Sequence, residues 1–327
     1  MNESTAESPK SIVIIGCGAI GGTFAAHLAN SPAKVTVVDL SEPIRHAVMA
    51  SGLTITHSDG REESVSVDIR GSFEGIEQPD IVFFFVKTVH NQAAARDAAG
   101  LIGPHTVVAT VQNGMGHGDV LSGIVPADRL VVGVTSEGAN MLTPGHVSHY
   151  AKGATKVGPW RKESSLESAE LVADVLNSAG LTAVATDATE NAIWTKLAMN
   201  AAYSSVSALT RLSMEGLGDS PELWRLCEDV VRENVAVAIA SGAFVDVDEV
   251  LGMANRLYAG IKKDGIIAGK ASMLLDVEAR RPTEVDAFNG AILREAARNG
   301  VDARLNAILF ALIKGLEDSW RIDAGSA

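Results

Sequence analysis

Lys196 and Asn200 stand in the segment Glu190-Asn191-Ala192-Ile193-Trp194-Thr195-Lys196-Leu197-Ala198-Met199-Asn200. On a helix they are one turn apart and share a face. A lysine desolvated on such a face has a lowered pKa and can act as a general acid near neutrality. By spacing alone the same pair also fits a solvent-exposed helix face. Further on come Lys270-Ala271-Ser272-Met273-Leu274-Leu275-Asp276 and Arg281-Pro282-Thr283-Glu284-Val285-Asp286. Thr283 predicts the cap of a helix over residues 284–298, with Ile292 and Leu293 on its apolar side. In that setting Glu284 is an ordinary first-turn acid.

A second constellation lies near the other end. Gly16-Cys17-Gly18-Ala19-Ile20-Gly21 follows the β-branched run of residues 12–15 and precedes good helix formers over 23–29. In a G-x-G-x-x-G turn between strand and helix, Gly16 permits the tight turn and Gly18 lets a diphosphate approach the backbone. Gly21 allows close helix–strand packing. The N–H groups at the helix start then hold the phosphates. Asp39 ends the next strand, residues 34–38, and lies 18 residues beyond Gly21. There a carboxylate accepts hydrogen bonds from the adenosine ribose and repels a 2′-phosphate, so NAD(H) is favoured. Arg45, six residues on, keeps NADP(H) possible.

The elements that must position these groups are legible in outline. Residues 81–86 and 107–111 read as strands buried on both faces, delivering Lys87 and then Gln112-Asn113-Gly114 to the carboxyl edge of a parallel sheet. Residues 53–69 read as an inserted hairpin around Ser58-Asp59-Gly60, and residues 130–158 as short strands. A helix over 166–179 stops at Gly180, with a last strand over 181–185. From residue 186 onward the pattern turns helical. The expected organisation is α/β: a disordered tail over residues 1–10, a Rossmann domain with a doubly wound parallel sheet over 11–188, and an all-helical substrate and catalytic domain over 189–327.

Composition narrows the partners. The 327 residues carry a net charge of −13, which argues against nucleic acid and anionic membranes. An anionic substrate then needs local cations. The two cysteines, Cys17 and Cys227, are too few for a disulfide framework, which points to reducing cytoplasm. The polar first ten residues do not resemble a signal peptide. His105, His117, His146 and His149 lack the spacing and flanking carboxylates of a metal site, and no metal is expected.

Taken in order, GCGAIG, VKT, QNG, WTKLAMN, SMLLD and RPTEVD resemble the ketopantoate reductase (2-dehydropantoate 2-reductase) family over nearly the whole chain. The resemblance implies a Rossmann domain and a helical domain with the active site in the cleft between them, and a homodimer. It implies that Lys196 is the general acid and Glu284 the second catalytic residue. Ser272 then binds the substrate carboxylate, Asn200 holds the substrate, and Asn113 and Lys87 line the nicotinamide and substrate cleft. Three positions depart from the family pattern. Ser204 stands where the family has a second asparagine, Gly269 replaces another, and Leu275 replaces a glutamine. Asp39 stands where NADP-type members tend to have a basic residue. These changes predict an NAD-preferring enzyme acting on a 2-oxo or 2-hydroxy acid less polar than ketopantoate, branched or aromatic. Ketopantoate reduction with NADPH, a 3-hydroxyacid dehydrogenase and an NAD(H)-sensing protein without turnover are the competing readings.

Overall fold

The computed structural model describes residues 9–264 and 270–325. The tail expected over residues 1–10 falls, but for its last two residues, outside the described chain, as does Gly269. The strands are β1 (Ser11–Ile15), β2 (Lys34–Val38), β3 (Leu53–His57), β4 (Glu62–Val65), β5 (Asp68–Arg70), β6 (Ile81–Phe84) and β7 (Val107–Thr110). They continue as β8 (Leu130–Thr135), β9 (Gly138–Thr143), β10 (His146–Ala151), β11 (Thr155–Pro159) and β12 (Ala183–Ala185). The helices packed with them are α1 (Ala19–Ala29), α2 (Glu42–Ser51), α3 (Asn91–Ala98), α4 (His117–Leu121) and α5 (Glu167–Ser178). The chain then becomes helical: α6 (Thr189–Thr210), α7 (Met214–Gly218), α8 (Pro221–Ala240), α9 (Val247–Asp264), α10 (Ser272–Glu278), α11 (Asn289–Asn299) and α12 (Arg304–Gly325). No described helix is long and apolar enough to cross a membrane.

Two compact units result. Of the described residues, those within 1–112 and 117–189 form one, and those within 113–116 and 190–327 form the other.

In the first unit an eight-stranded sheet runs β12-β11-β8-β7-β6-β1-β2-β5. Strands β5 through β8 and β1–β2 are parallel, while β11 runs antiparallel to β8. Both faces of the central strands are covered, and those strands are largely apolar: Ile12, Ile14, Ile81, Phe83 and Val108 are all at most 1 % exposed. The order reverses at β1, which pairs with β2 on one side and β6 on the other. Ligands bind at such a switch point, beyond the carboxyl ends of the strands. The register places Ile15 opposite both Val38 and Phe84, and Phe84 opposite Thr110. The glycine loop, Asp39, Lys87 and Gln112 therefore follow strands that end on the same edge.

The inserted hairpin is only partly as expected. Strands β3 and β4 form it, and β10 and β9 extend it to a separate four-stranded sheet, β4-β3-β10-β9. Ile69, expected in that hairpin, instead belongs to β5 and pairs with Val37 at the edge of the large sheet. It is buried there at 7 % exposure, in the same hydrophobic cluster that takes Leu53, Ile55 and Val65 of the hairpin, so either placement buries its side chain and the alternation does not distinguish them.

Candidate functional site

The helix after β1 begins at Ala19, earlier than the helix formers at 23–29 suggest, with Gly18 at its N-cap. Each glycine of the loop meets a different constraint. Gly16 has φ +97°, and a Cβ on it would come within 2.9 Å of the Phe85–Val86 backbone. A Cβ on Gly21 would fall 2.0 Å from the Gly16 carbonyl oxygen. Around Gly18, by contrast, nothing lies within 4 Å of that position. The open approach sits where a diphosphate would reach the backbone, beside the N–H groups that precede the first intrahelical bond of α1.

Asp39 faces the same loop. Its Oδ2 accepts from the Cys17 N–H at 2.6 Å and its Oδ1 from the Ser41 N–H at 2.8 Å. Each carboxylate oxygen keeps acceptor capacity for a ribose hydroxyl. Arg45 folds back so that Nη1 donates to the Asp39 carbonyl at 2.9 Å. The Cys17 thiol is buried and its pKa is pushed up to about 12, by burial first and then by the Asp39 charge. Cys17 thus contributes its backbone to the loop and remains a neutral thiol. Lys87 is half-buried just past β6. Nearby, buried Gln112 bridges the Val86 carbonyl and Asn91 Oδ1, and Asn91 in turn meets His117 Nδ1 at 3.0 Å. This network locks the loops after β6 and β7 together.

The second unit brings three remote segments to one point. Lys196 lies on α6 and its Nζ donates to Asn113 Oδ1 at 2.6 Å. Its pKa is lowered from 10.5 to about 8, chiefly by loss of hydration, with the Glu284 charge pulling it partly back up. At neutral pH such a lysine is mostly protonated yet gives up its proton readily.

The partners are held by backbone. Residues 284–288 form a turn in which the Ala287 and Phe288 N–H groups donate to the Glu284 carbonyl. The loop carrying Asn113 docks on that turn: the Met115 N–H donates to the Ala287 carbonyl at 3.0 Å. Gly114 adopts φ +93°, and a Cβ there would be 2.7 Å from Ala287.

This turn corrects the helix expected over residues 284–298. Helix α11 starts only at Asn289. Thr283 is buried, and its hydroxyl and N–H both donate to Glu317 Oε1 at 2.7 Å. The hydroxyl also accepts from the Val285 N–H at 3.3 Å, which closes a turn in place of a helix cap.

Asn200 is half-buried and Ser204 buried, each one further turn along α6 from Lys196. Helical spacing puts all three on one side. Ser272 is exposed as the first residue of α10, and Leu275 is half-buried one turn on.

Three buried asparagines that sequence reasoning passed over fix α6 itself. Asn289 Nδ2 donates to the Ala201 carbonyl, and Asn234 Nδ2 to the Ala198 carbonyl. Asn306 joins the two side chains, accepting from Asn289 and donating to Asn234. The three are fully buried and tie α8, α11 and α12 to the turns of α6 around Asn200. Apolar residues three and four positions away, such as Val230, Val231, Val237 and Ala238 around Asn234, were the signal that these amides face inward.

The sequence matches the family described as Ketopantoate reductase PanE/ApbA over residues 12–162, and its C-terminal counterpart over residues 188–317. A curated relative, 2-dehydropantoate 2-reductase of Archaeoglobus fulgidus, is 29 % identical over 94 % of this chain and 97 % of its own length. Among solved structures, the ternary structure of D-mandelate dehydrogenase with NADH and anilino(oxo)acetate has a TM-score of 0.88 at 26 % identity. It covers 94 % of this chain and 99 % of that one. A PanE/ApbA family ketopantoate reductase from Ralstonia eutropha JMP134 has a TM-score of 0.83 at 27 % identity, covering 95 % and 99 %.

Proposed function

Since this chain belongs to the ketopantoate reductase PanE/ApbA family, we propose that it reduces a 2-oxo acid of low polarity with NADH, using Lys196 as proton donor. That it is an oxidoreductase acting on the CH–OH group of a hydroxy acid follows from its relatives. The observation that carries the finer reading is Lys196 itself, desolvated to a pKa of about 8 and held on Asn113 Oδ1.

The glycine loop and Asp39 fit a nicotinamide dinucleotide. When bound, the cofactor supplies the hydride that reduces the 2-oxo carbon. Lys196 Nζ gives a proton to the carbonyl oxygen as negative charge develops there, and its own charge stabilises that oxygen beforehand. Asn113 Oδ1 fixes the ammonium, and Glu284 favours its protonated form. In the reverse direction the neutral amine accepts the hydroxyl proton. Ser272 and Asn200 are assigned to the substrate carboxylate and the substrate body, and Lys87 and Asn113 to the nicotinamide side.

Asp39 supports NADH over NADPH, because a carboxylate beside a 2′-phosphate sets two anions together. Ser204 and Leu275 offer the substrate shorter or less polar groups than asparagine and glutamine. The D-mandelate dehydrogenase neighbour, whose structure holds NADH and anilino(oxo)acetate, an aromatic carboxylate, supports an aromatic or branched substrate. The name of the curated relatives favours a second reading, ketopantoate itself. A homodimer in the cytoplasm completes the proposal, and both cysteines are free and buried, as a reducing compartment allows.

Side-by-side kinetics with NADH decide between the substrates. We expect kcat/KM on 2-oxo-2-phenylacetate or a branched 2-oxo acid to exceed that on ketopantoate. If ketopantoate beats every apolar 2-oxo acid tested, the second reading stands.

A further inference from the structure

In the first unit a different set of polar side chains converges under the four-stranded sheet. Strands β3 and β10 run parallel, and their register sets His57 opposite His149. Residues paired across neighbouring strands project to one face. Helix α1 packs on that sheet and carries His27 in its last turn. The His27 ring stands edge-on to both others, its centroid 5.8 Å from that of His57 and 5.2 Å from that of His149. One ring nitrogen from each of the three lies within 4.8 Å of the others, and His57 and His149 are buried.

Hydrogen bonding defines which nitrogens face inward. His27 Nδ1 meets the Ala179 carbonyl at 3.3 Å, His149 Nε2 meets Glu137 Oε2 at 2.6 Å, and His57 Nε2 meets Glu63 Oε1 at 3.2 Å. Each of these partners is an acceptor, so each outer nitrogen carries the hydrogen. In a neutral imidazole the other nitrogen is then a bare lone pair. Two such lone pairs, His27 Nε2 and His149 Nδ1, lie only 3.2 Å apart. The third, His57 Nδ1, is buried with no hydrogen-bond partner. A proton on one ring relieves the contact between His27 and His149 but leaves His57 Nδ1 unserved. A cation between the three nitrogens relieves all of them together.

We propose that His27 Nε2, His57 Nδ1 and His149 Nδ1 form a binding site for one divalent transition-metal ion of the zinc class, with a solvent oxygen as fourth ligand. Two nitrogens on a tetrahedral ion with bonds of about 2.05 Å are about 3.3 Å apart, close to the separation already present between His27 and His149. Closure requires the third ring to move inward. Glu137, Glu63 and the Ala179 carbonyl would hold the rings in the ligating tautomers, as outer partners of metal-bound histidines do. The ion would staple the last turn of α1 to the small sheet. None of the chain spacings among His27, His57 and His149 resembles a metal motif, and the expectation of no metal weighed only the spacing and flanking carboxylates of His105, His117, His146 and His149.

The test uses the untagged, chelator-stripped full chain, titrated with Zn²⁺ by calorimetry and with Co²⁺ by visible absorption. We expect one equivalent to bind, the Co²⁺ form to show the intense bands of a tetrahedral site, and the thermal midpoint to rise with Zn²⁺. His57→Gln and His149→Gln should abolish that one-equivalent transition, and Glu137→Gln should weaken it about 10–100-fold. Absence of stoichiometric binding, or undiminished binding by His57→Gln, overturns the proposal and leaves a hydrogen-bonded histidine cluster. Should a variant fail to fold, zinc-edge X-ray absorption on the unmodified protein decides: three nitrogen ligands at about 2.0–2.1 Å support the site, and an all-oxygen shell overturns it.

Discussion

At the glycine loop, residues 16–21 work by leaving atoms out, whereas the Lys196 cluster works by bringing contacts in. Gly16 and Gly21 lie so close to neighbouring backbone that any side chain would collide with it, while Gly18 opens onto empty space. Lys196 gains its character from burial first, and then from Asn113 and Glu284, which stand far from it in the sequence. The loop's groups thus come from one stretch of chain on which β6 closes, whereas the lysine site is assembled wholly from remote segments. The two should respond to substitution differently.

The largest effect is expected at Lys196. If Lys196 is the proton donor proposed above, replacing it by Ala should lower kcat about 10²–10⁴-fold, with NADH binding retained. Near-normal kcat on the true substrate would rule the assignment out. The pH profile sharpens this point. The acid is the protonated amine, so reduction should fall as pH rises through about 8, while oxidation of the hydroxy acid should rise over the same range. A profile flat from pH 7 to 9 in both directions would show that Lys196 does not titrate in the chemical step.

A smaller effect is expected in the loop, where two similar-looking substitutions should part company. Gly21→Ala drives a methyl onto the Gly16 carbonyl and should cost about 1–3 kcal/mol of stability, as overpacking does. Gly18→Ala meets no protein atom, and Gly18 has φ −71°, which an L-residue adopts freely. It should change stability by less than about 0.5 kcal/mol while raising KM for NADH. Equal melting points for the two variants would contradict the division of labour among the glycines.

The smallest effect concerns cofactor choice. Asp39→Ala should reduce kcat/KM with NADH about tenfold, in line with losing a charge-assisted hydrogen bond, and alter NADPH kinetics less. A preference for NADPH in the unmodified protein would remove the basis for this assignment.

The same contrast explains what could be read before the fold was known. The glycine loop and Asp39 were legible because their chemistry is written in contiguous residues after two apolar strands. Lys196 and Asn200 were legible as a pair because helical spacing is fixed, but the partners of Lys196 came from the family resemblance and not from spacing. Thr283 misled because a threonine before acids looks like a cap until Glu317, 34 residues on, claims its hydroxyl. Ile69 misled because alternation does not say which of two sheets a strand will join. The histidine cluster was illegible, since it needs the β3–β10 pairing and the placement of α1 at once.

The short segment Asn113–Gly116 has a consequence for how such proteins can be rearranged. It comes early in the chain but packs with the helical unit. A chimera joined near residue 189, with the helical half of one homologue grafted to the nucleotide-binding half of another, would inherit Lys196 and Glu284 from one parent. The carboxamide that receives the lysine, and the glycine fitted against Ala287, would come from the other. Exchange of the halves as cassettes thus separates residues that share one site, and a functional splice has to carry residues 113–116 across with the helices.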